Sequence, residues 1–460
     1  MKKLPLSEII VNVNGKLIFG TDNIVIDNLV TRISRAKENS LVLDLYQDRL
    51  TNKNPDLGKN TYAVITDKPE NFKGLTGKYA LIQVEDSETA YWDFITYYRG
   101  LFDIPVIGIT GTCGKTTTKE MIKHILSGSC RVDATYKSLN ALHHHLSYLL
   151  EMDDETQAGV FEMGVAAAGD LLFSCAHFKP CIGVITNIGV DHLQAFSGLE
   201  GYIKAKSEIL EGLADGGTVI VNADDENIKK MDFGRYKGNI FYFGFSDKSH
   251  FRISNVKYVD NGLEFTLKYG VKRYNLFIPG YGDFNVYNAA AAIAAAHSVG
   301  FGIEEAVERL KTFKHVERHF EFRKGINGST VIDDTWSTNP TSAEVALKLL
   351  KSLSNGKKTI AAMGKMSLLG SKTKEYHNKI GKKIADFGIN QLVVIGDDAW
   401  DIGYGAMQAG MSQTDIFLCN NSADALLVLK KILDENSILL VKTTMKASYS
   451  DLMNELLTTK

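Results

Sequence analysis

Gly108-Ile109-Thr110-Gly111-Thr112-Cys113-Gly114-Lys115-Thr116-Thr117-Thr118 follows an apolar run, Pro105 to Ile109, and leads into a stretch with helical spacing from Lys115 to Ser127. Strand, glycine-rich turn and helix in that order form the setting of a phosphate-binding loop. The glycines let the backbone curl so that its N–H groups converge on phosphate oxygens. The helix N-terminus adds the positive end of its dipole. Lys115 is placed to reach the β- and γ-phosphates, and the Thr116 hydroxyl to serve Mg²⁺. The longer spacing G-x-x-x-x-G-K-[ST] is not met, because Ile109 holds its first position; the core Gly111-x-x-Gly114-Lys115-Thr116-Thr117 is intact. Gly111, Thr112, Cys113, Gly114, Lys115, Thr116 and Thr117 are therefore the expected nucleotide-binding residues. A plain glycine turn would explain the glycines but not the Lys-Thr-Thr that follows.

Working outward, AGVFEMG (158–164) and CIGVITNIG (181–189) are apolar runs suited to parallel strands covered on both faces. Helical stretches such as Glu200–Leu213 lie between such runs, and this alternation argues a doubly wound, mostly parallel sheet. Residues 239–278 change to short β runs and predict an antiparallel insertion or edge, after which the alanine-rich Asn288–His297 resumes a helix. Beyond about Phe313, four runs (STVIDD, KTIAAMG, QLVVIGD, SILLVKT) alternate with helical stretches and predict a second, Rossmann-like α/β unit. The first residues mix short β runs with turn residues and predict a small α/β domain. The fold expected is thus α/β in three domains: 1–97, a small N-terminal α/β domain; 98–314, a central P-loop domain with a doubly wound, mostly parallel sheet; and 315–460, a C-terminal Rossmann-like α/β domain.

Composition agrees and narrows the class. At 460 residues the chain exceeds what one core of roughly 250–300 residues accommodates. With 52 basic against 54 acidic side chains, the charge balance gives no reason to invoke nucleic acid or a membrane surface. No apolar run approaches the ~18 residues of a membrane span, and the N-terminus lacks the apolar core of a signal peptide. The five scattered cysteines form no C-x-x-C pair, so neither a zinc ribbon nor a disulfide framework is expected, and a reducing cytoplasm fits. A monomer is expected.

Further motifs follow the loop in order: Phe161-Glu162-Met163-Gly164; Thr186-Asn187-Ile188-Gly189-Val190-Asp191-His192-Leu193; Ala205-Lys206-Ser207-Glu208-Ile209; Val221-Asn222-Ala223-Asp224-Asp225; Gly282 to Ala290; Arg318; and Val331-Ile332-Asp333-Asp334-Thr335 ahead of Asn339-Pro340. With TGTCGKTTT at their head, they resemble the Mur ligase family over roughly residues 85–460. Within it they are most like the branch that adds D-alanyl-D-alanine to a UDP-linked muramoyl tripeptide. The resemblance implies an ATP-dependent ligase that phosphorylates a carboxylate and lets an amine attack the acyl phosphate, releasing ADP and phosphate. Its implied partners are a small acid, UDP-linked in the standard case, and an amino acid or dipeptide.

The resemblance also implies roles, with 1–97 as a shortened acceptor-substrate domain, 98–314 as the ATP-binding domain and 315–460 as the domain that binds the amine substrate and closes on ATP. Lys115, Glu162, His192 and Lys206 are the expected catalytic residues. Two Mg²⁺ ions are expected, with Thr116, Glu162, His192 and Lys206 (as a CO₂-derived carbamate) as ligands. Histidine is an unusual ligand for so hard a cation, and a lysine carbamylates only where its pKa is lowered. Asn285 and Asn288 are expected to bind the nucleotide, Asn288 near the adenine; a plain helix N-cap is the alternative for Asn285, and both can hold. Arg318 is expected at ATP phosphate or ribose, Asp334 at the ribose. Cys113, beside a helix N-terminus, is expected to carry a lowered thiol pKa and to be reactive. Three adjacent histidines, His143, His144 and His145, cannot face one way on a helix, and a substrate contact is expected of them rather than a metal.

Departures from the branch cluster where substrates are read. N-N-x-x-G-x-P appears as Asn140-Ala141-Leu142-His143-His144-His145-Leu146, and D-S-R as Ile33-Ser34-Arg35. A D-G-H segment gives way to LYQDRLTNKN (45–54), and Y-N-A-N-P reads Trp336-Ser337-Thr338-Asn339-Pro340. K-G-S-R reads Lys442-Thr443-Thr444-Met445, and its missing arginine removes a bidentate carboxylate clamp. These changes predict a non-standard acid or amine; the alternative is the standard pair. Less favoured are a folylpolyglutamate-type ligase, a non-catalytic ATP-binding relative and a P-loop motor or signalling ATPase.

Overall fold

A computed structural model describes residues 1–45, 60–72, 78–445 and 447–458, with the side chains of His143, Ala447 and Ser448 left aside. The chain divides into two compact units. One comprises Met1–Val106, Ser129–Phe161 and Phe173–Pro180; the other comprises Ile107–Gly128, Glu162–Leu172 and Cys181–Lys460.

The first unit contains a five-stranded sheet in the order Lys16–Phe19, Lys78–Gln83, Thr61–Thr66, Ser40–Leu43, Asn28–Val30. Its last four strands are parallel, with Lys16–Phe19 antiparallel at the edge. The helix Ser87–Gly100 begins at Asp86, whose carboxylate accepts the Thr89 N–H at 2.7 Å. Phe94, Ile95 and Tyr98 lie on its buried face. The Tyr98 hydroxyl donates to the Met152 carbonyl at 2.7 Å and Arg99 Nε to that of Phe178 at 2.8 Å, so the helix end is tied to later chain by buried bonds. Val132–Ala134 pairs in parallel with Ala158–Glu162.

The second unit holds two sheets. In the first, the strands run in the order Lys272–Pro279, Gly262–Tyr269, Phe251–Val259, Asn239–Gly244, Thr218–Asn222, Ile182–Ile185, Val106–Thr110. The strands from Phe251–Val259 to Val106–Thr110 are successively parallel, and the outer two join by antiparallel hairpins. The reason is legible in the residues. Val106–Thr110 and Thr218–Asn222 are buried at every position, as strands covered on both faces must be. Along Gly262–Tyr269, buried Leu263, Phe265 and Leu267 alternate with polar Glu264, Thr266 and Lys268, the mark of a strand with one wet face. The expected antiparallel edge is present. The helix Phe284–Ser298 packs against Lys115–Leu126; Ala289 to Ala296 are wholly buried, and the alanines among them permit a close approach.

The other sheet runs Glu321–Lys324, Thr330–Asp334, Ser437–Lys442, Lys358–Gly364, Gln391–Ile395, Ile416–Cys419, parallel apart from its first strand. Alternate residues serve two cores: Ile332, Ala361, Met363, Val394 and Leu440 on one face, and Val331, Ile360, Ala362, Val393 and Leu439 on the other. Sequence reading found four of its strands and missed the short Glu321–Lys324 and Ile416–Cys419, together with the helices Asp401–Gln408 and Ala447–Leu456. No helix among the described residues is long and apolar enough to cross a membrane.

Candidate functional site

The glycine-rich loop leaves the C-terminal end of the strand Val106–Thr110, where ligands sit in open α/β sheets. Gly111 has φ 140°, and a Cβ there would stand 2.0 Å from Thr186 Oγ1. Gly114 has φ 81° and caps the helix Lys115–Leu126 without any side-chain bond to the first turn. The first N–H groups of that helix are thereby left for an anion. The loop is held from the next strand. The Cys113 N–H donates to Asn187 Oδ1 at 2.9 Å, Asn187 Nδ2 donates back to the Cys113 carbonyl at 2.9 Å, and Thr186 Oγ1 donates to the same carbonyl at 2.6 Å. Sequence reasoning gave Thr186 and Asn187 no role. Their signal was a hydroxyl and an amide directly after a buried strand, side chains able to bond a peptide on both edges.

Around this loop the charged residues converge. The Thr116 hydroxyl donates to Glu162 Oε2 at 2.9 Å, and Lys115 Nζ lies 4.0 Å from Glu162 Oε1 and 3.2 Å from the Thr112 carbonyl. Glu162 is only 2% exposed. Lys206, on the helix Leu199–Ser207, is 1% exposed and donates to Thr110 Oγ1 at 3.1 Å. Its Nζ lies 5.2 Å from the centroid of the Tyr202 ring. Burial, and then the charge of Lys115, hold the Lys206 amine well below the usual lysine range. His192 adopts a left-handed backbone, φ 50°, with its N–H on Asp191 Oδ1 at 2.9 Å. Burial lowers its pKa; Asp191 pulls the other way, while Lys115 and Lys206 push with burial.

These donors fit a hard cation only in part as they stand. The Thr116 hydroxyl and Glu162 carboxylate are oxygen ligands suited to Mg²⁺, and a neutral His192 offers a lone pair. Among the described residues no group of three His, Cys, Asp or Glu is arranged to hold a metal. Lys206 as an amine adds no ligand, whereas an uncharged, buried amine is the form that takes up CO₂ and becomes a carboxylate.

Asn285 and Asn288 lie over the same loop. Asn288 Oδ1 accepts the Thr118 hydroxyl at 3.3 Å and would touch a Cβ on Gly114 at 2.5 Å. The alternative of Asn285 as the helix cap does not hold: Asp283 is the cap, and Asn285, inside the first turn, donates to the Tyr281 carbonyl at 2.9 Å. Its Oδ1 also accepts from Asn288 at 3.3 Å. The lowered thiol pKa expected of Cys113 is corrected. Burial pushes the thiol up to about 11, outweighing the lowering by Lys115.

Asp334 and Arg318 form a second group, on the C-terminal sheet. Asp334 pairs with Lys442 at 2.8 Å, both nearly buried, and Lys442 also donates to the Ser337 carbonyl at 2.7 Å. Arg318 (φ 60°) reaches Ser450 at 3.5 Å, and its carbonyl accepts from the Trp336 N–H. In the first unit, His145 is 2% exposed and packs on Phe178 with ring centroids 4.5 Å apart, a core position rather than a substrate contact. The His143 side chain and the departure at 46–54 lie outside the described residues.

Comparison with known proteins adds a separate line of evidence. The profile of the Mur ligase middle domain matches residues 109–296, and that of the Mur ligase, glutamate ligase domain matches 318–444. The UDP-N-acetylmuramoyl-tripeptide–D-alanyl-D-alanine ligase of Bacillus subtilis is 29% identical over 85% of this chain and 83% of its own. The enzyme of the same name from Buchnera aphidicola (Acyrthosiphon pisum) is 31% identical over 70% of each chain. A crystal structure of MurF from Acinetobacter baumannii, 24% identical, superposes with a TM-score of 0.84 over 99% of both chains and shares the fold.

Proposed function

The chain belongs to the Mur ligase family, an ATP-dependent amide-bond-forming ligase, and on that footing we propose that it joins D-alanyl-D-alanine to a UDP-N-acetylmuramoyl-tripeptide in peptidoglycan synthesis. The observation that carries the chemistry is the convergence of Lys115, Thr116, Glu162 and Lys206 on one phosphate loop. The relatives support the standard pair over the non-standard one predicted from the departures, since both carry that activity in their names and match most of this chain.

The γ-phosphoryl group of ATP passes to the tripeptide carboxylate, and the dipeptide amine attacks the acyl phosphate. Both first reactants are anions, so the site must neutralise charge before they meet. The first N–H groups of the helix Lys115–Leu126 cradle the phosphates, and Lys115 supplies a positive charge to the transferring group. Thr116 and Glu162 would hold one Mg²⁺, and His192 with Lys206, as a carbamate, the other. Those ions supply charge neutralisation and alignment of the reacting oxygens. Asn288 is assigned to the adenine, Arg318 to the phosphates or ribose and Asp334 to the ribose. A cytoplasmic enzyme is proposed.

The test is ADP release from MgATP and the UDP-linked tripeptide, with and without D-alanyl-D-alanine. Release that requires the dipeptide is expected. Release indifferent to it, or none, removes the proposed pair and directs attention to other acids and amines.

A further inference from the structure

We infer that Asn339 is a positioning residue, which acts through Asp191 to set the His192 loop against the phosphate loop; the inference rests on the nucleotide-site reading above. Asn339 is 6% exposed and stands at the N-cap of the helix Pro340–Ser352. Its Oδ1 accepts the Ser342 N–H at 2.8 Å, and Ser342 Oγ accepts the Asn339 N–H at 3.1 Å, a reciprocal capping box. That bond fixes which end of the amide is which, so Nδ2 is the end that faces Asp191 Oδ2, at 3.1 Å. The other carboxylate oxygen, Oδ1, accepts the His192 N–H at 2.9 Å. One carboxylate thus links Asn339 to a residue whose left-handed φ of 50° costs energy unless its surroundings hold it.

Two further contacts reach the same place. The Cys113 thiol donates to Asn339 Oδ1 at 3.7 Å, which brings the phosphate loop onto the same amide. The Val190 N–H donates to Thr341 Oγ1 at 2.7 Å, two residues from His192. Gly189 makes room for this: a Cβ there would stand 2.2 Å from that hydroxyl. Helix N-terminus, His192 loop and phosphate loop therefore meet at one side chain that has no free functional group left. Capping alone requires only Oδ1. The amide nitrogen is the part that a serine or aspartate cap would lack, and it is the part that holds Asp191.

The experiment is a substitution cycle read by nucleotide affinity, which requires neither acid nor amine substrate. ATP binding is titrated calorimetrically with saturating Mg²⁺ and again in chelator, and the ratio of the two Kd values is the gain from magnesium. Asn339→Asp keeps the cap but sets two carboxylates face to face; the gain is expected to fall roughly tenfold, the low end for groups bonded directly to a metal ligand, because Asn339 acts one residue further out, through Asp191. Adding Asp191→Asn restores the hydrogen bond with donor and acceptor exchanged, and most of the gain should return. Asn339→Ser, a good cap too short to reach Asp191, should lose the gain as Asn339→Asp does, with thermal stability near that of the unaltered protein. An Asn339→Asp or Asn339→Ser protein with full gain, or a double variant no better than Asn339→Asp, overturns the inference. An unaltered protein whose ATP affinity ignores magnesium overturns the site reading and the inference with it.

Discussion

Lys206 Nζ lies 3.1 Å from Thr110 Oγ1, and that hydroxyl spends its own proton on the Met163 carbonyl, also at 3.1 Å. An ammonium has three protons to place. The contacts described around Nζ are one hydroxyl oxygen and the Tyr202 ring, a setting better matched to an uncharged amine. The carbamate proposed for Lys206 would form from such an amine: the lone pair bonds to CO₂, one C=O pair moves onto oxygen, and the displaced proton leaves to water. Protein equilibrated with ¹³C-labelled CO₂ should show one carbamate resonance by ¹³C NMR, absent from Lys206→Met. A spectrum without it would remove Lys206 from the set of metal ligands.

The same burial has a stability consequence. With a folded pKa below the unfolded ~10.5, the unfolded chain holds more protons between the two values, so folding is penalised. The penalty is full below the folded pKa and disappears as pH rises past the unfolded one. In CO₂-depleted buffer at pH 7, Lys206→Met should therefore melt a few degrees higher than the unaltered protein while losing ligation. The gain should shrink as the pH approaches ~10.5. A lower melting temperature at pH 7 would contradict this.

Asp334 and Lys442 make the opposite case, a buried pair in which each charge needs the other. Lys442→Met leaves a carboxylate uncompensated and should cost roughly 3 kcal/mol in chemical denaturation. Adding Asp334→Asn should recover much of that loss while weakening nucleotide binding. If the single substitution costs under ~1 kcal/mol, the pair does not hold this end of the sheet.

Cys113 should resist alkylation near neutral pH, since the thiolate is the nucleophile and burial pushes this thiol up to about 11. Site-resolved mass spectrometry with iodoacetamide should find labelling that rises about tenfold per pH unit between pH 8 and 10. Rapid labelling at pH 7, blocked by MgATP, would restore the earlier expectation of a reactive thiol.

Much of the architecture was legible because its cause is local. A strand such as Val106–Thr110 must be apolar throughout when both faces are covered, and Gly114-Lys115-Thr116 carries its own geometry. What escaped was set by partners far along the chain. Asn187 clamps Cys113 from 74 positions away, and Asn339 meets Asp191 from 148. Nothing in either neighbourhood announces the other. Cys113 shows the limit of a local rule: a helix-end position predicts a lowered thiol pKa, whereas burial raises it.

The most direct test of ligation through an acyl phosphate is an oxygen-transfer measurement. UDP-N-acetylmuramoyl-tripeptide labelled with ¹⁸O in the reacting carboxylate is incubated with MgATP, D-alanyl-D-alanine and the protein, and both products are weighed by mass spectrometry. The account predicts a dipeptide-extended product and one ¹⁸O in each phosphate released. Phosphate free of ¹⁸O beside an extended product would contradict the acyl phosphate, and an unextended tripeptide would contradict the proposed substrates.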